Sequence, residues 1–311
     1  MMPVTCPSRR GFLRMTGMAA GAILIQPSLG WGRAADRDFS FVVIADTHLG
    51  IRKPELTGEK AWTQAVSEIS QTDADFVIHL GDLVDNGAKN EKLYPVFVDI
   101  RKALKQQLYL IPGNHDPVEL FQKYVNKETD TSFDHKGIRF ILFEDAHTDS
   151  HDGFITESQL KWLEQQMHGA QSKGLRIILC MHVAAHENKH PDVGWYVKPE
   201  SGQGEFYKLT QKYHDSVLAI FNGHFHCGLR GWNDHSGIDE IVFSSALWNT
   251  DRQLEKNGAP GYALNTLHPG YAMISMRGDS MMLEYKPFGE ASSASKTYDV
   301  KRSRRSVTGP G

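Results

Sequence analysis

Five runs of β-type apolar residues in this chain each end on residues suited to hard or borderline metal ions. FSFVVIA closes on Asp46-Thr47-His48, DFVIHL on Gly81-Asp82, and LYLIP on Gly113-Asn114-His115-Asp116. LRIILCM closes on His182, and VLAIFN on Gly223-His224-Phe225-His226. Short continuous Val/Ile/Leu/Phe runs read as strands buried on both faces. In α/β sheets, ligands bind at the strand C-termini. Five such ends can therefore bring Asp, Asn and His side chains to one point. Oxygen donors plus imidazoles, with no required thiolate, suit Mn, Fe or Zn better than a cysteine-rich structural zinc site. Taken singly, each group has a plainer reading. Asp46 and Asp82 can cap helices, Gly113-Asn114 can form a turn, and His182 can be a hydrogen-bonded histidine at a sheet edge. Gly-His-Phe-His can turn a hairpin. Five coincidences, all in strand-end position, favour convergence.

The order Asp-x-His, Gly-Asp, Gly-Asn-His-Asp, His and Gly-His-x-His resembles the calcineurin-like metallophosphoesterase superfamily. Within it, the likeness is to the bacterial phosphodiesterase branch that includes the class III cyclic-nucleotide phosphodiesterases. It runs from about residue 39 to about residue 285. Purple acid phosphatases carry a tyrosine three residues after the Gly-Asp aspartate; Asp85 stands there in this chain, which points away from that subgroup. The resemblance implies two divalent or trivalent metal ions (Fe, Mn or Zn). Asp46, His48 and His226 hold the first, Asn114, His182 and His224 the second, and Asp82 bridges both. It implies hydrolysis of a small phosphoester, a diester in preference to a monoester, by a hydroxide held between the metals. His115 takes the leaving-group role. Asp116, counted with it as catalytic, and the pair Asp85-Asn86 are expected to orient imidazoles or ligands. The implied fold is a four-layer α/β/β/α sandwich of two mixed sheets; periodicity alone supports only α/β with a strand-rich C-terminus.

The N-terminus reads as a targeting segment. Ser8-Arg9-Arg10-Gly11-Phe12-Leu13-Arg14 looks like a twin-arginine export signal, followed by a weakly apolar stretch at 16–25. That stretch is too short for a span of about 20 apolar residues. Cleavage is expected near 30–35, where Gly32-Arg33-Ala34 fits the small-x-small rule. Cys6 precedes the apolar stretch and so is not a lipoprotein cysteine. The expectation is a periplasmic protein with the twin-arginine translocon as its export partner and no membrane span after processing. Removing residues 1–35 takes four arginines and no acids, leaving 30 basic against 37 acidic residues, a formal charge of −7. Such a chain lacks the basic footprint of a nucleic-acid binder.

The remaining 276 residues are expected to form one metallophosphoesterase domain over 36–290, long enough to bury roughly 70–75% of its unfolded surface. A flexible polar and basic tail is expected over 291–311. Helices are expected near 58–71, 89–106 and 156–172. The third opens on a capping box, Thr156-Glu157-Ser158-Gln159, with Leu160, Leu163 and Met167 on one face. Strands are expected at 241–246 and in a hairpin about Gly278-Asp279. Cys180 and Cys227 each lie within two residues of an expected ligand. A buried thiol pair is expected, a disulfide being the alternative in an oxidising compartment.

The least patterned stretch, 182–203, begins at an expected ligand and carries His186, His190, Trp195, Tyr196 and Lys198. A loop of this length in a compact domain is functional or disordered, and its tether at the metals favours substrate contact. Trp248 and Asn249 pose the same choice between substrate contact and anchoring. The other functional readings are hydrolysis of a non-phosphate ester and a non-catalytic interaction module on the same fold. Seven intact ligand positions and His115 argue against the module.

Overall fold

A computed structural model describes residues 38–187, 194–235, 237–250, 264–278, 280–292 and 294–299. The expected export segment, the basic cluster after residue 300, His190 and the hairpin residue Asp279 lie outside these. Among the described residues, twelve strands form two six-stranded mixed sheets. In the first, β1 (Phe39–Ile44), β2 (Phe76–His79) and β3 (Gln107–Leu110) run parallel. Its other half is β10 (Gly270–Arg277), antiparallel to β1, followed by β11 (Ser280–Pro287) and β12 (Ala294–Asp299), each antiparallel to the strand before it. In the second sheet β5 (Ile138–Leu142), β6 (Arg176–Cys180), β7 (Val217–Asn222) and β9 (Asp239–Val242) are parallel. Antiparallel β4 (Thr131–His135) and β8 (Arg230–Trp232) close its two edges.

The side-chain alternation along each strand explains the layers. Phe41 and Val43 of β1 point between the sheets, with Phe76, Phe140 and Phe221; Phe41 meets Phe140 edge-on at 5.2 Å. Val42 and Ile44 point outward. There they meet Trp62, Ala65 and Ile69 of α1 (Gly58–Ile69), Phe97 of α2 (Leu93–Arg101) and Phe121 of α3 (Val118–Tyr124). On the far face, Ile141, Ile177, Leu179 and Ile220 meet α4 (Glu157–Ser172) through Leu163 and Met167, and α5 (Gln203–Lys212) through Phe206. The result is the α/β/β/α sandwich. Both faces of the central strands are dry, which is why their sequences read as unbroken apolar runs.

The expected capping box is in place: the Thr156 hydroxyl accepts from the Gln159 amide, and the Gln159 side chain accepts from the Thr156 amide. The hairpin falls between β10 and β11. Three expectations shift. The helix expected over 89–106 is only Leu93–Arg101, because 86–90 is taken up by turns in which Lys89 and Asn90 both donate to the Asn86 carbonyl. The strand expected at 241–246 is Asp239–Val242, and 243–250 instead loops beside the ligand-bearing ends. The tail expected from 291 is ordered as β12 over 294–299, where Tyr298 joins the core between the sheets. No disulfide joins Cys180 and Cys227. Cys180 lies between the sheets, and Cys227 lies in a small cluster with Phe225 and Val242. No described helix is long and apolar enough to cross a membrane.

Candidate metal centre

The parallel strands β1, β2, β3, β6 and β7 present their C-terminal ends along one edge, and the loops that leave them are tied to one another. The Asp46 amide donates to the Gly81 carbonyl, His48 to Asp82, and Gly223 to His182, each at 3.0 Å. These ties hold the backbone in conformations that side chains resist. Asp46, His48, Asp82, His224 and His226 all have positive φ, between 42° and 73°. Such strain costs of order 1–3 kcal/mol per residue and persists only where the surroundings enforce it, characteristically at functional sites. Gly113 lies so close to Asp82 that any Cβ there would collide with its carboxylate.

All seven residues expected as ligands converge. Asp46, His48, Asp82 and His226 form one buried group, and Asp82, His182 and His224 a second. Asp82 belongs to both: its Oδ2 lies 3.3 Å from His48 Nε2 and 3.4 Å from His182 Nε2. His226 Nε2 is 3.1 Å from His48 Nε2 and 3.2 Å from Asp46 Oδ1. On the other side, His182 Nε2 lies 3.3 Å from Asn114 Oδ1 and 3.2 Å from His224 Nδ1.

The outward nitrogens decide what the inward ones can do. His182 Nδ1 donates to the Leu80 carbonyl at 2.6 Å, His226 Nδ1 to the Trp248 carbonyl at 3.1 Å, and His224 Nε2 to the His151 carbonyl at 3.0 Å. His48 Nδ1 faces Asp85 Oδ1 at 3.5 Å. Three of the four imidazoles thus give an outward proton to a backbone carbonyl, which aims the inward nitrogen as in metal-bound histidines. Lone pairs held near 3.2 Å from one another repel unless positive charge lies among them. Burial opposes an imidazolium at His48 and His182, yet the Asp82 carboxylate raises both to about 10. His224 and His226 are pushed down, chiefly by burial. A buried cage with two carboxylates, one amide oxygen and four imidazoles fits first-row metal cations.

His115 lines the cavity of about 230 Å³ over this centre without joining either buried group. Its Nδ1 lies 2.9 Å from Asp85 Oδ1. Although burial resists it, the charge of Asp82 and the Asp85 hydrogen bond raise the His115 pKa. Hydrogen bonds from His115 and His48 hold Asp85 well below the usual carboxylate range. Asp85 therefore orients imidazoles, as expected. Asp116 does not. Its carboxylate accepts from the amides of Leu83, Val84 and Gly113 and from the Tyr94 hydroxyl, so it locks the β2 and β3 loops together and touches no imidazole.

Several contributors escaped the sequence reading. Asp145, just past β5, accepts from the amides of His182 and Val183 and fixes that turn; a strand followed by an aspartate was the signal for it. His79 is fully buried, kept neutral and pushed down to about 3 by burial. It bridges Thr47 Oγ1 and the Gly81 amide, and so braces two ligand loops. His151 stacks on Trp195 at 4.3 Å. Both line a wider cleft of about 600 Å³ that continues from the centre past His115. Of the aromatic residues left open above, Trp248 packs on His226 at 4.0 Å. Asn249 is an anchor, bonded to the backbone of Gly228 and Ser245. Tyr196 lies under Lys198 at 3.7 Å.

A profile of the calcineurin-like phosphoesterase family matches residues 39–228, which hold every strand and motif that builds this centre. The chain belongs to that family. It is a phosphoesterase, with clustered His and Asp side chains suited to metal binding. A protein of Arcobacter nitrofigilis named as a probable glycerophosphodiester phosphodiesterase is 30% identical over 166 residues, 49% of this chain and 56% of that one. The match thus spans little more than half the length of that relative. A protein of Mycobacterium tuberculosis named as a cAMP/cGMP dual specificity phosphodiesterase is 23% identical over 304 residues, 90% of each chain. Among solved structures, a dimetal phosphatase from Danio rerio superposes with a TM-score of 0.63 over 84% of this chain and 99% of its own, at 16% identity. That likeness speaks for the fold.

Proposed function

We propose that this phosphoesterase hydrolyses a small phosphodiester at a two-metal centre. One metal would be held by Asp46, His48 and His226, the other by Asn114, His182 and His224, with Asp82 shared. The observation that carries the reading is the position of Asp82 Oδ2, 3.3 Å from a histidine of one group and 3.4 Å from a histidine of the other. A carboxylate placed so can serve two cations at once. When bound, the metals supply Lewis acidity toward the phosphoryl oxygens and lower the pKa of water.

The chain's own residues do the rest. The Asn86 amide donates to His115 Nδ1, and Asp85 lies 2.9 Å from the same nitrogen, so Nε2 is the nitrogen turned to give a proton or hydrogen bond to the departing alcohol. The charge of Asp82 and the Asp85 hydrogen bond raise the His115 pKa, which favours the protonated ring this role needs. The cleft past His115 offers room for a second alcohol arm, which a diester has and a monoester lacks. The names of the two relatives, for glycerophosphodiesters and cyclic nucleotides, favour a diester as well. The pair Arg9-Arg10 supports export to the periplasm, where the enzyme would serve scavenging or envelope chemistry.

The test is a turnover panel on chain reconstituted with Mn, Fe or Zn: bis-aryl phosphodiester, aryl monoester, cyclic nucleotide, glycerophosphodiester and an aryl carboxylic ester. Diester turnover above monoester turnover, with at least two metals per chain, is the expected result. Preference for the carboxylic ester, or full activity with one metal or none, overturns the proposal.

A further inference from the structure

Outside the centre, the described residues hold one more group of converging metal-type ligands in which two histidines take part without lining either cavity. His186, Asp234 and His235 place their ligand atoms within 4.8 Å of one another. His186 follows the turn that carries His182. Asp234 and His235 lie in the connection between β8 and β9. His186 Nε2 is 2.9 Å from Asp234 Oδ1. Two donors on one tetrahedral zinc sit about 3.3–3.5 Å apart, from bond lengths of about 2.0–2.2 Å. A small opening of this pair therefore admits an ion.

Both rings are held by flat aromatic neighbours. His186 is buried and stacks on Trp232 at 4.4 Å with only 5° between the planes. His235 stacks on Tyr207 at 4.4 Å and 16°. The Tyr207 hydroxyl donates to Glu240 Oε2, while Glu240 Oε1 accepts from the amides of Ala185 and His186. One buried carboxylate thus fixes both the backbone under His186 and the ring that backs His235. Two imidazoles and a carboxylate select zinc or a neighbouring transition metal over calcium or magnesium, which take oxygen ligands.

We propose that His186, Asp234 and His235 form a separate, peripheral transition-metal site that clamps the segment after His182 to the β8–β9 connection. The site needs none of the ligands at the catalytic centre, so it stands or falls on its own.

The probe is zinc itself. Chain stripped with a chelator is dialysed against saturating zinc and then freed of unbound ion, and zinc per chain is measured by mass spectrometry. The variants are Asp234→Asn with His235→Gln, and Asp234→Asn alone. Asp234 is exposed and the change nearly isosteric, so the single variant serves if the double one does not fold. Each is also made on an Asp82→Ala background. The expected result is a loss of one zinc equivalent on removing the peripheral ligands, on either background. Equal zinc content with and without the substitutions overturns the proposal. Failure of the catalytic assignment would look different: Asp82→Ala would leave zinc content unchanged, while the peripheral variants still lost one equivalent.

Discussion

Replacing Gly113 by alanine probes the shared carboxylate without removing any ligand. A Cβ on Gly113 would stand 2.8 Å from Asp82 Cγ, and closer still to Asp82 Oδ1 and the Asp82 amide nitrogen. Carbon atoms in contact prefer about 3.5–4.0 Å, so the carboxylate must retreat by on the order of 1 Å. It cannot retreat freely. Asp82 Oδ1 accepts from the His115 amide at 2.9 Å, and Oδ2 faces His48 and His182. Movement in either direction breaks one of these relations. A misplacement of about 1 Å at reacting groups can lower rate about 10²-fold. Overpacking costs about 1–3 kcal/mol in stability, which for a domain of this size lowers Tm by roughly 2–10 °C. Gly204→Ala is the control. Gly204 lies in the first turn of α5, exposed, with nothing within 4 Å of its would-be Cβ. Alanine there should be neutral or stabilising by up to about 1 kcal/mol. Metal content, diester turnover and thermal unfolding are measured side by side. Gly113→Ala with wild-type metal content and wild-type turnover would refute the reasoning, because the shared carboxylate would then tolerate displacement.

His115→Ala should keep both metals yet lose about 10²–10⁴-fold in turnover of esters with alkyl or ribose leaving groups, and less with nitrophenolate, which departs unprotonated. Equal losses on both ester types would assign His115 to substrate positioning, and lost metal would make it a ligand. Arg9→Lys together with Arg10→Lys should leave the protein in the cytoplasm, and cell fractionation that still finds processed protein in the periplasm would count against twin-arginine export. Glu240, fully buried, is raised from 4.5 to about 7 by burial. The folded chain therefore holds a proton that the unfolded chain releases between these values, so stability falls as pH rises from about 4.5 to about 7. The effect is about 3 kcal/mol at most. Glu240→Gln should flatten the Tm–pH curve across that window, and parallel curves for the two proteins would exclude Glu240 as its source.

Most of the fold that positions the centre was legible because its strands are covered on both faces. FSFVVIA and VLAIFN have no solvated side to interrupt them, and the unbroken runs stand out. The elements that went unread have mixed faces or borrow them. β12 carries Ser, Lys and Thr around a single buried tyrosine, and only its pairing with β11 makes it a strand. β4 alternates about Phe133 on a sheet edge, a pattern too short to separate from a turn. β5 (IRFIL) is buried throughout, but Arg139 interrupts its apolar run and no ligand motif closes it, although Asp145 stands just beyond its end.

The candidate site divides the same way. The seven convergent residues were legible because each is fixed by its distance from a strand end, and strand ends in a parallel sheet share an edge. Residues that act through the backbone carry no such mark. Asp116 and Asp85 flank the same motifs and are chemically alike, yet one binds three amides and the other two imidazoles. That difference is set by loop conformation and is invisible in spacing. The backbone also explains why short motifs survive as recognisable units. With Asp46, His48, Asp82, His224 and His226 all at positive φ, the loops are held open against local preference by ties between neighbouring strands. A relaxed loop would release the strain and scatter the ligands, so the sandwich and the centre impose their demands on the same few residues.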